Sequence, residues 1–300
     1  MLLAMSEGLK ALNEFIASPD YFRECVDYTA RQTGFQRALI EKDYYCSVIL
    51  AHLAQHLPAH VVFKGGTCVS KVYTEFYRLS EDIDYSIPIA LSASRGDRRV
   101  LIDPVKKVCV SLAAQLAGVL EMETFRGFNQ SRQYIGIWGY RSCVSSAEEK
   151  IKIEFGLREP SLLPEVNRPA RTLLLNAVRG IPAVAPFVVK VMALPEIWAE
   201  KARAAMTRRD AAIRDFFDLD YAVRNLGLNP TDKKFVQLLQ KKLAVPENEP
   251  VNLSEERRAE LNRQVEAQLK PVVRTIDFEQ FNLEKIWDAV MALAQSISAS

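Results

Sequence analysis

Hydrophobic positions follow two different periods in the first third of the chain. From residue 8 to about 57 they recur every three or four positions, which predicts helices, with a Ser-Pro-Asp start signal at residues 18–20. The period then changes, because HVVFKGG (residues 60–66) is a short β-branched run closed by two glycines, a pattern typical of a strand and a tight turn. Residues 67–77 return to helical spacing, and DIDYSIPI (residues 82–89) predicts a second strand.

The rest of the chain extends this pattern to a mixed sheet and then to helices. We predict a polar loop at residues 92–99 and a helix at 102–121. Four strands are predicted after them, at residues 133–141, 149–158, 171–178 and 187–194. After Pro195 the spacing is helical almost throughout, with a glycine cap expected at Gly227. We therefore predict the α/β (α+β) fold class, with a mixed sheet, accompanying helices and a helical C-terminal lobe.

Length and charge limit the possible functions without selecting one. Three hundred residues exceed one compact core, so we expect N-terminal helices (1–60) packed on a sheet domain (61–194), and a helical lobe (195–300) that closes a cleft. The formal net charge of +2 gives no overall bias towards nucleic acid, so any basic binding surface must be local. No stretch approaches the roughly 20 apolar residues of a membrane span, so no membrane association is predicted.

The cysteines favour a reducing compartment. They are odd in number, widely spaced and never arranged as CxxC, which argues against a disulfide framework and against a zinc site; they are Cys25, Cys46, Cys68, Cys109 and Cys143. The sequence therefore predicts a cytoplasmic protein.

Two aspartates in the second predicted strand are the first candidates for chemistry. Residues i and i+2 of a strand project from the same face, so Asp82 and Asp84 point together while Ile83 and Tyr85 point into the core. Two carboxylates this close repel each other unless a cation neutralises them. A hard divalent ion such as Mg²⁺ or Mn²⁺ is the usual solution, so this pair predicts a metal site.

Two further features point to phosphoryl transfer. Glu154 lies on the charged face of the cleanly alternating strand at 149–158, where a third carboxylate would serve metals that stabilise the attacking and leaving oxygens. Gly65, Gly66 and Thr67 form a glycine turn that opens a helix, and such a turn lets backbone N–H groups approach a phosphate closely.

Each of these features also has an ordinary structural explanation. An isolated Asp-x-Asp at a strand end is more often a solvated turn or a cap, and a glycine pair marks any sharp turn. The order strand, Gly-Gly-Thr, short helix, Asp-x-Asp strand and later carboxylate is much harder to obtain by accident. The combination therefore indicates a nucleotide site that neither part would indicate alone.

At this point the sequence resembles a known family. FKGGTCVSKVY and RLSEDIDYSI look like the DNA polymerase beta type nucleotidyltransferase superfamily, specifically its AbiEii/AbiGii toxin branch. That branch carries F-K-G-G-T-x-L-S-K, with Val69 replacing the leucine here, and R-x-S-E-D-I-D. IEKDYYCSVIL (residues 40–50), AEK (residues 199–201) and RDFFDL (residues 214–219) are similar to further family segments, so the resemblance covers residues 36 to 227.

The resemblance implies a role for each matching residue. Asp82 and Asp84 correspond to the metal-binding aspartates, and Glu154 is a third metal ligand by pattern only. Gly65, Gly66 and Thr67 correspond to the triphosphate loop, and Ser70 and Lys71 lie on the helix after it, with Lys71 as a candidate phosphate contact. Lys201 corresponds to an essential lysine of the family. A downstream aspartate of the family corresponds to Asp215 or Asp218, and spacing does not decide between the two. A lysine near a triphosphate would neutralise charge on the leaving pyrophosphate.

The resemblance also implies a function. A nucleoside triphosphate would bind with Mg²⁺ or Mn²⁺ and donate its nucleotide to an RNA 3′ end, typically transfer RNA, so that translation stops until a cognate antitoxin intervenes. Rival interpretations are a nucleotidyltransferase acting on a small molecule or a protein, and a nucleotide-binding regulator without turnover. Retention of both Asp82 and Asp84 together with Lys201 disfavours the regulator.

Two weaker patterns have structural alternatives. Histidines at four-residue spacing, His52, His56 and His60, suggest ligands but are better interpreted as a solvated helix face. A set of basic residues could contact an RNA backbone, although charge runs on helices are usually only solvated: Arg208, Arg209, Arg214, Lys241 and Lys242.

Overall fold

The computed structural model describes Phe15 and residues 18–298. The rest of the predicted N-terminal helical pattern, residues 8–14 and 16–17, lies outside the described residues. The chain divides into two compact units, Met1–Met192 and Ala193–Ser300. In the described part of the chain, no helix is both long enough and apolar enough to cross a membrane.

Seven strands of the described residues form one mixed sheet in the first unit. Their order across the sheet is β3-β4-β5-β2-β1-β7-β6. In chain order the strands are β1 Val62–Lys64, β2 Asp82–Ser86, β3 Glu121–Phe128, β4 Gln133–Arg141, β5 Glu148–Gly156, β6 Val166–Ala170 and β7 Phe187–Val191. β2 lies in the middle, antiparallel to β1 and parallel to β5, which places the predicted carboxylate strands side by side.

Helices accompany the sheet in the same unit. They are α1 Pro19–Thr33, α2 Arg37–His56, α3 Gly65–Cys68 with a π-helical turn Val69–Tyr73, and α4 Arg95–Leu116. Proline at the first position of α1 and the left-handed Gly34 after its end are a typical start and stop. α2 packs against β2 and β7, so it covers one face of the sheet beside the predicted site.

The alternation in the central strands decides which face is buried. Ile83 and Tyr85 of β2 are buried, as predicted, and so are Ile153 and Phe155 of β5. The Tyr85 and Phe155 rings stack with centroids 5.2 Å apart. The opposite face of these two strands therefore carries the charged residues.

Two sequence predictions for this unit are wrong, and one strand was not predicted. The segment at 92–99 is not all loop, because a reciprocal capping box between Ser94 and Asp97 starts α4 at Arg95. The segment at 171–178 is not a strand and makes one isolated bridge, while the outer strand is β6, whose proline fits an edge position. β3 was not predicted, because an exposed edge strand lacks a continuous apolar face.

The second unit is helical in its described residues. Its helices are α5 Leu194–Thr207, α6 Ile213–Asn225, α7 Lys233–Leu243, α8 Glu255–Gln264, α9 Thr275–Gln280 and α10 Leu283–Ser298, with short π and 3₁₀ turns at Val265–Leu269 and Lys270–Val272. The predicted long helix from 195 is interrupted between α5 and α6, and Gly227 adopts the expected left-handed conformation after α6. Phe216 stacks on Trp287 with centroids 5.6 Å apart, which joins α6 to α10.

His52 does not lie on a solvated helix face, contrary to the sequence prediction. Its side chain is 1% exposed, and its ring stacks on His56 with centroids 4.1 Å apart. Burial, with the charge of His56 as a lesser cause, lowers the pKa of His52 from 6.5 to about 4. The protein therefore folds around a neutral His52.

We expect His52 to make the folded state sensitive to acid. Because its pKa is lower folded than unfolded, its contribution is complete above about pH 6.5 and is lost as the pH falls towards 4, by about 3 kcal/mol. Urea denaturation of the parent and of His52→Gln across this range measures the effect. The variant should show a shallower decline between pH 6.5 and 4, and equal slopes would contradict the assignment.

Lys71 forms a buried ion pair that joins α2 to the π-helical turn. Its ammonium lies 2.6 Å from Oδ1 of Asp43 and 2.7 Å from the hydroxyl of Ser47, and both charged side chains are almost completely buried. The other carboxylate oxygen of Asp43 accepts a hydrogen bond from the backbone N–H of Leu173. These contacts fix the helical segment directly after the glycine turn.

Removal of one partner should be costly, because it leaves a buried charge uncompensated. We expect Asp43→Ala to lower the free energy of unfolding by about 3–5 kcal/mol. Asp103→Ala is the matched control, since Asp103 pairs with Lys106 at 3.0 Å on an exposed face of α4 and should cost less than about 1 kcal/mol. Urea denaturation of both variants tests this, and equal losses would refute it.

Candidate active site

The glycine turn and the aspartate pair are in direct contact. Lys64, the last residue of β1, pairs with Asp84 of β2, and Gly65 comes next with a left-handed φ of +78°. A Cβ on Gly65 would overlap Oδ2 of Asp84 and lie 3.0 Å from its Cβ and Cγ. Only glycine therefore allows the backbone to turn here and pass this close to the carboxylate.

Side-chain hydrogen bonds attach α3 and its π-helical turn to the segment around β2. The hydroxyl of Thr67 donates to the carbonyl of Asp82, and the hydroxyl of Ser70 donates to the carbonyl of Arg78 at 2.8 Å. A Cβ on Gly66 would lie 2.6 Å from the buried guanidinium of Arg78. The motif thus forms one packed unit, although Ser70 is engaged inside it and is not exposed.

Glu154 lies beside the aspartates through strand register. In the parallel pairing of β2 and β5, Asp84 is opposite Glu154 and Asp82 is opposite Lys152. Burial raises the pKa of Asp84 to about 6, and the charges of Glu154 and Asp82 add to the rise. The structure therefore brings together the three carboxylates that the sequence singled out.

Lys152 is a member of this cluster that sequence reasoning missed. Its ammonium lies 3.3 Å from Oδ2 of Asp82 and 3.6 Å from Oε2 of Glu154. Burial acts to lower the pKa of Lys152, but attraction to Asp82, Glu154 and Asp84 outweighs it, so the pKa is raised. The alternation placed Lys152 on the face of Glu154, whereas its pairing with Asp82 depends on a register that no local pattern reveals.

The donor set suits a hard divalent cation shared with a substrate. No group of three His, Cys, Asp or Glu side chains within the described residues is arranged to hold a metal ion by itself. Magnesium sites in nucleotide enzymes commonly use one or two carboxylates together with substrate phosphates. The oxygens of Asp82 and Asp84 fit this kind of shared coordination, because burial, followed by the charges of Glu154 and Asp82, disfavours the ionised form of Asp84 unless a cation neutralises it.

The second unit contains the other predicted residues. The ammonium of Lys201 on α5 lies 3.0 Å from Oδ1 of Asp215 and 2.8 Å from Oδ2 of Asp218, both on α6. Asp218 is fully buried, whereas Asp215 also has the guanidinium of Arg208 3.3 Å from its Oδ2. Both aspartates thus contact the lysine, and Arg208 is a neighbour that the sequence did not assign to this cluster.

Two predicted cation roles are not supported by these positions. Lys71 is held inside the first unit by Asp43, so its ammonium is not presented to a phosphate. Lys242 does not belong to a basic surface, because its fully buried ammonium lies 2.7 Å from Glu196 and 3.2 Å from Glu200. Of the proposed basic set, Arg208, Arg209 and Lys241 are exposed.

Comparison with known proteins identifies the family. Residues 48–293 match the sequence profile of the nucleotidyl transferase AbiEii toxins of type IV toxin–antitoxin systems. The chain belongs to the AbiEii family. This confirms the resemblance, the nucleotidyltransferase-like mixed fold with its helices, and the assignment of the chain as a nucleotidyltransferase.

Two solved structures resemble the chain along most of its length but share little sequence with it. The crystal structure of JHP933 from Helicobacter pylori is 14% identical, with a TM-score of 0.49 over 88% of this chain and 93% of that one. A candidate nucleotidyltransferase from H. pylori is also 14% identical, with a TM-score of 0.45 over 87% of this chain and 90% of that one. None of the curated proteins matches the sequence.

Substitution of Gly65 tests the contact between the turn and the carboxylate. We expect Gly65→Ala to abolish nucleotidyl transfer, because the new methyl group displaces Asp84 in addition to straining a left-handed backbone. Gly34→Ala is the matched control, since Gly34 has a φ of +77° with nothing within 4 Å of the added Cβ. That variant should lose about 1–2 kcal/mol of stability and keep its activity.

Transfer of label from a nucleoside triphosphate and urea denaturation measure the two effects. An active Gly65→Ala enzyme would show that the close approach is not required. Equal loss of activity in Gly34→Ala would show that backbone strain alone explains the defect.

Proposed function

We propose that this AbiEii-family enzyme transfers a nucleotide from a nucleoside triphosphate to the 3′ end of an RNA, in particular transfer RNA, and so blocks translation. The observation that carries the proposal is the contact between the Gly65 backbone and Asp84, which joins a phosphate-binding turn to a carboxylate pair. This arrangement suits a triphosphate, because its phosphates can contact the backbone N–H groups of the turn and a metal ion bound by the carboxylates at the same time.

In this proposal the glycine turn binds the triphosphate. Gly65, Gly66 and Thr67 begin α3 directly after β1, so their N–H groups belong to the end of a helix that favours anions. The Thr67 hydroxyl is already donated to the carbonyl of Asp82. Thr67 therefore positions the turn relative to β2, while the backbone provides the contacts to phosphate.

Asp82 and Asp84, with Glu154 beside them, would hold Mg²⁺ or Mn²⁺. A bound divalent cation supplies charge neutralisation and orientation at the α-phosphate. The carboxylates suit this role because they lie on one face of neighbouring strands and repel one another in its absence. Asp82 and Glu154 are partly exposed, which leaves room for substrate oxygens to complete the coordination.

We also propose that Lys201 is essential for transfer, together with at least one of Asp215 and Asp218. The two carboxylates hold the lysine ammonium from both sides and fix its direction. Asp218, which is fully buried, has the stronger structural role, whereas Asp215 also contacts the half-exposed Arg208.

Membership of a type IV toxin–antitoxin family supports the remaining parts of the proposal. It implies a cognate antitoxin as partner and growth arrest as the outcome of unopposed activity. Exposed basic residues of the second unit, Arg209 and Lys241, are candidates for contact with an RNA backbone. None of the five cysteines forms a disulfide, which agrees with a cytoplasmic site of action, where triphosphates and transfer RNA occur.

Incubation with each labelled nucleoside triphosphate and total RNA tests the function. We expect label in the transfer RNA band with the parent and a loss of at least about 100-fold in Asp82→Asn, because removal of transition-state charge stabilisation has that order of effect. Asp82 is 42% exposed, so the isosteric amide should leave the fold intact. Lys201→Met is a less clean test, since it leaves Asp215 and Asp218 buried and facing each other.

Asp103→Asn, an exposed change on α4, serves as the control and should keep full activity. Label on protein or on small molecules with none on RNA would overturn the acceptor. Absence of transfer from every triphosphate to any acceptor would favour a nucleotide-binding regulator.

A further inference from the structure

Four charged side chains form a two-by-two array on one face of the sheet. Asp82 and Asp84 of β2 lie opposite Lys152 and Glu154 of β5, and alternation directs all four to the same side. Lys152 is the positive member, with its ammonium 3.3 Å from Asp82 and 3.6 Å from Glu154. It bridges the two strands at the position where the proposed cation would need oxygen ligands.

This ion pair differs in kind from the buried pair of Lys71 and Asp43. The Lys71 and Asp43 side chains are 0% and 3% exposed and are closed in by further hydrogen bonds, whereas Lys152 is 36% exposed and Asp82 42%. Exposed ion pairs contribute little stability, because water and salt solvate both partners nearly as well. Lys152 can therefore leave its carboxylates at low cost.

We propose that Lys152 is an exchangeable counter-ion that holds Asp82 and Glu154 in the metal-free enzyme and yields them when the divalent cation binds. The inference rests on the proposed metal dependence and goes beyond it, because it assigns a role to a residue outside the expected ligand set. An ammonium and a divalent cation near the same carboxylate oxygens repel each other, so each weakens the binding of the other.

Lysine charge does not neutralise the site completely. Three carboxylates lie near two ammonium groups, that of Lys152 and that of Lys64, which is opposite Asp84 in β1 and acts to lower the pKa of Asp84, so an excess of negative charge remains. Lys152 thus partly offsets the repulsion between the carboxylates when the cation is absent, while the remaining negative charge still attracts a cation. It competes with the metal without preventing its binding.

Binding of Mn²⁺ alone, without nucleotide, tests the competition by electron paramagnetic resonance of the free ion at low ionic strength. We expect Lys152→Met to bind Mn²⁺ about three- to tenfold more tightly than the parent, because the competing charge is gone. Lys152→Arg keeps the charge and should stay close to the parent. Lys150→Met is the matched control, since Lys150 lies on the same strand and face but pairs with Glu123 at 2.7 Å.

Thermal unfolding provides a second measurement that does not depend on activity. Without a divalent cation, Lys152→Met should unfold at a lower temperature than the parent, because Asp82 and Glu154 lose their counter-ion. Added Mn²⁺ should raise the unfolding temperature of Lys152→Met more than that of the parent. The same comparison verifies that each variant is folded.

Unchanged or weaker Mn²⁺ binding by Lys152→Met would overturn the inference while leaving the proposed function intact. If the parent without nucleotide binds no Mn²⁺ that Asp82→Asn abolishes, the inference fails, because no cation then competes with Lys152 for the carboxylates. If Lys150→Met binds Mn²⁺ as much more tightly as Lys152→Met does, the effect is explained by general surface charge. That result would also overturn the inference.

Discussion

The approach of the Gly65 backbone to the Asp84 carboxylate is the constraint on which the candidate active site depends. It requires a left-handed turn directly after β1 and a residue without a side chain, and it places a carboxylate where burial raises its pKa to about 6. These are unfavourable choices for stability taken singly. They are offset by local contacts, above all the hydrogen bond from Thr67 to the Asp82 carbonyl and the buried pair of Lys71 with Asp43.

Charge has two different uses in the molecule. Lys71 and Lys242 are fully buried with carboxylate partners, so their ion pairs fix the packing of elements within each unit. Lys152 is ion-paired on a partly exposed face of the sheet, where water can replace its partners. Because removing one member of a buried pair costs several kcal/mol and an exposed pair contributes about 1 kcal/mol or less, the first kind preserves structure and only the second can exchange during function.

Much of this arrangement could be predicted from local pattern, and the rest depended on register and burial. The alternation of β2 and β5 predicted which residues face the core, and the turn that begins α3 was visible as two glycines after a β-branched run. Strand register cannot be predicted from either strand alone, so the position of Lys152 beside Asp82 could not be foreseen. The burial of His52 and Lys242 was missed, because a polar or charged residue in a helical pattern is interpreted as solvent-exposed unless its buried partner is known.

The π-helical turn Val69–Tyr73 also determines how the motif can change over evolution. A π turn contains one residue more than regular α-helix, so it can be regarded as an insertion that the fold has kept. Deleting one residue there would rotate the downstream side chains by about 100° relative to the glycine turn. Lys71 would then face away from Asp43, which means that packing constrains the spacing between the glycine pair and Lys71.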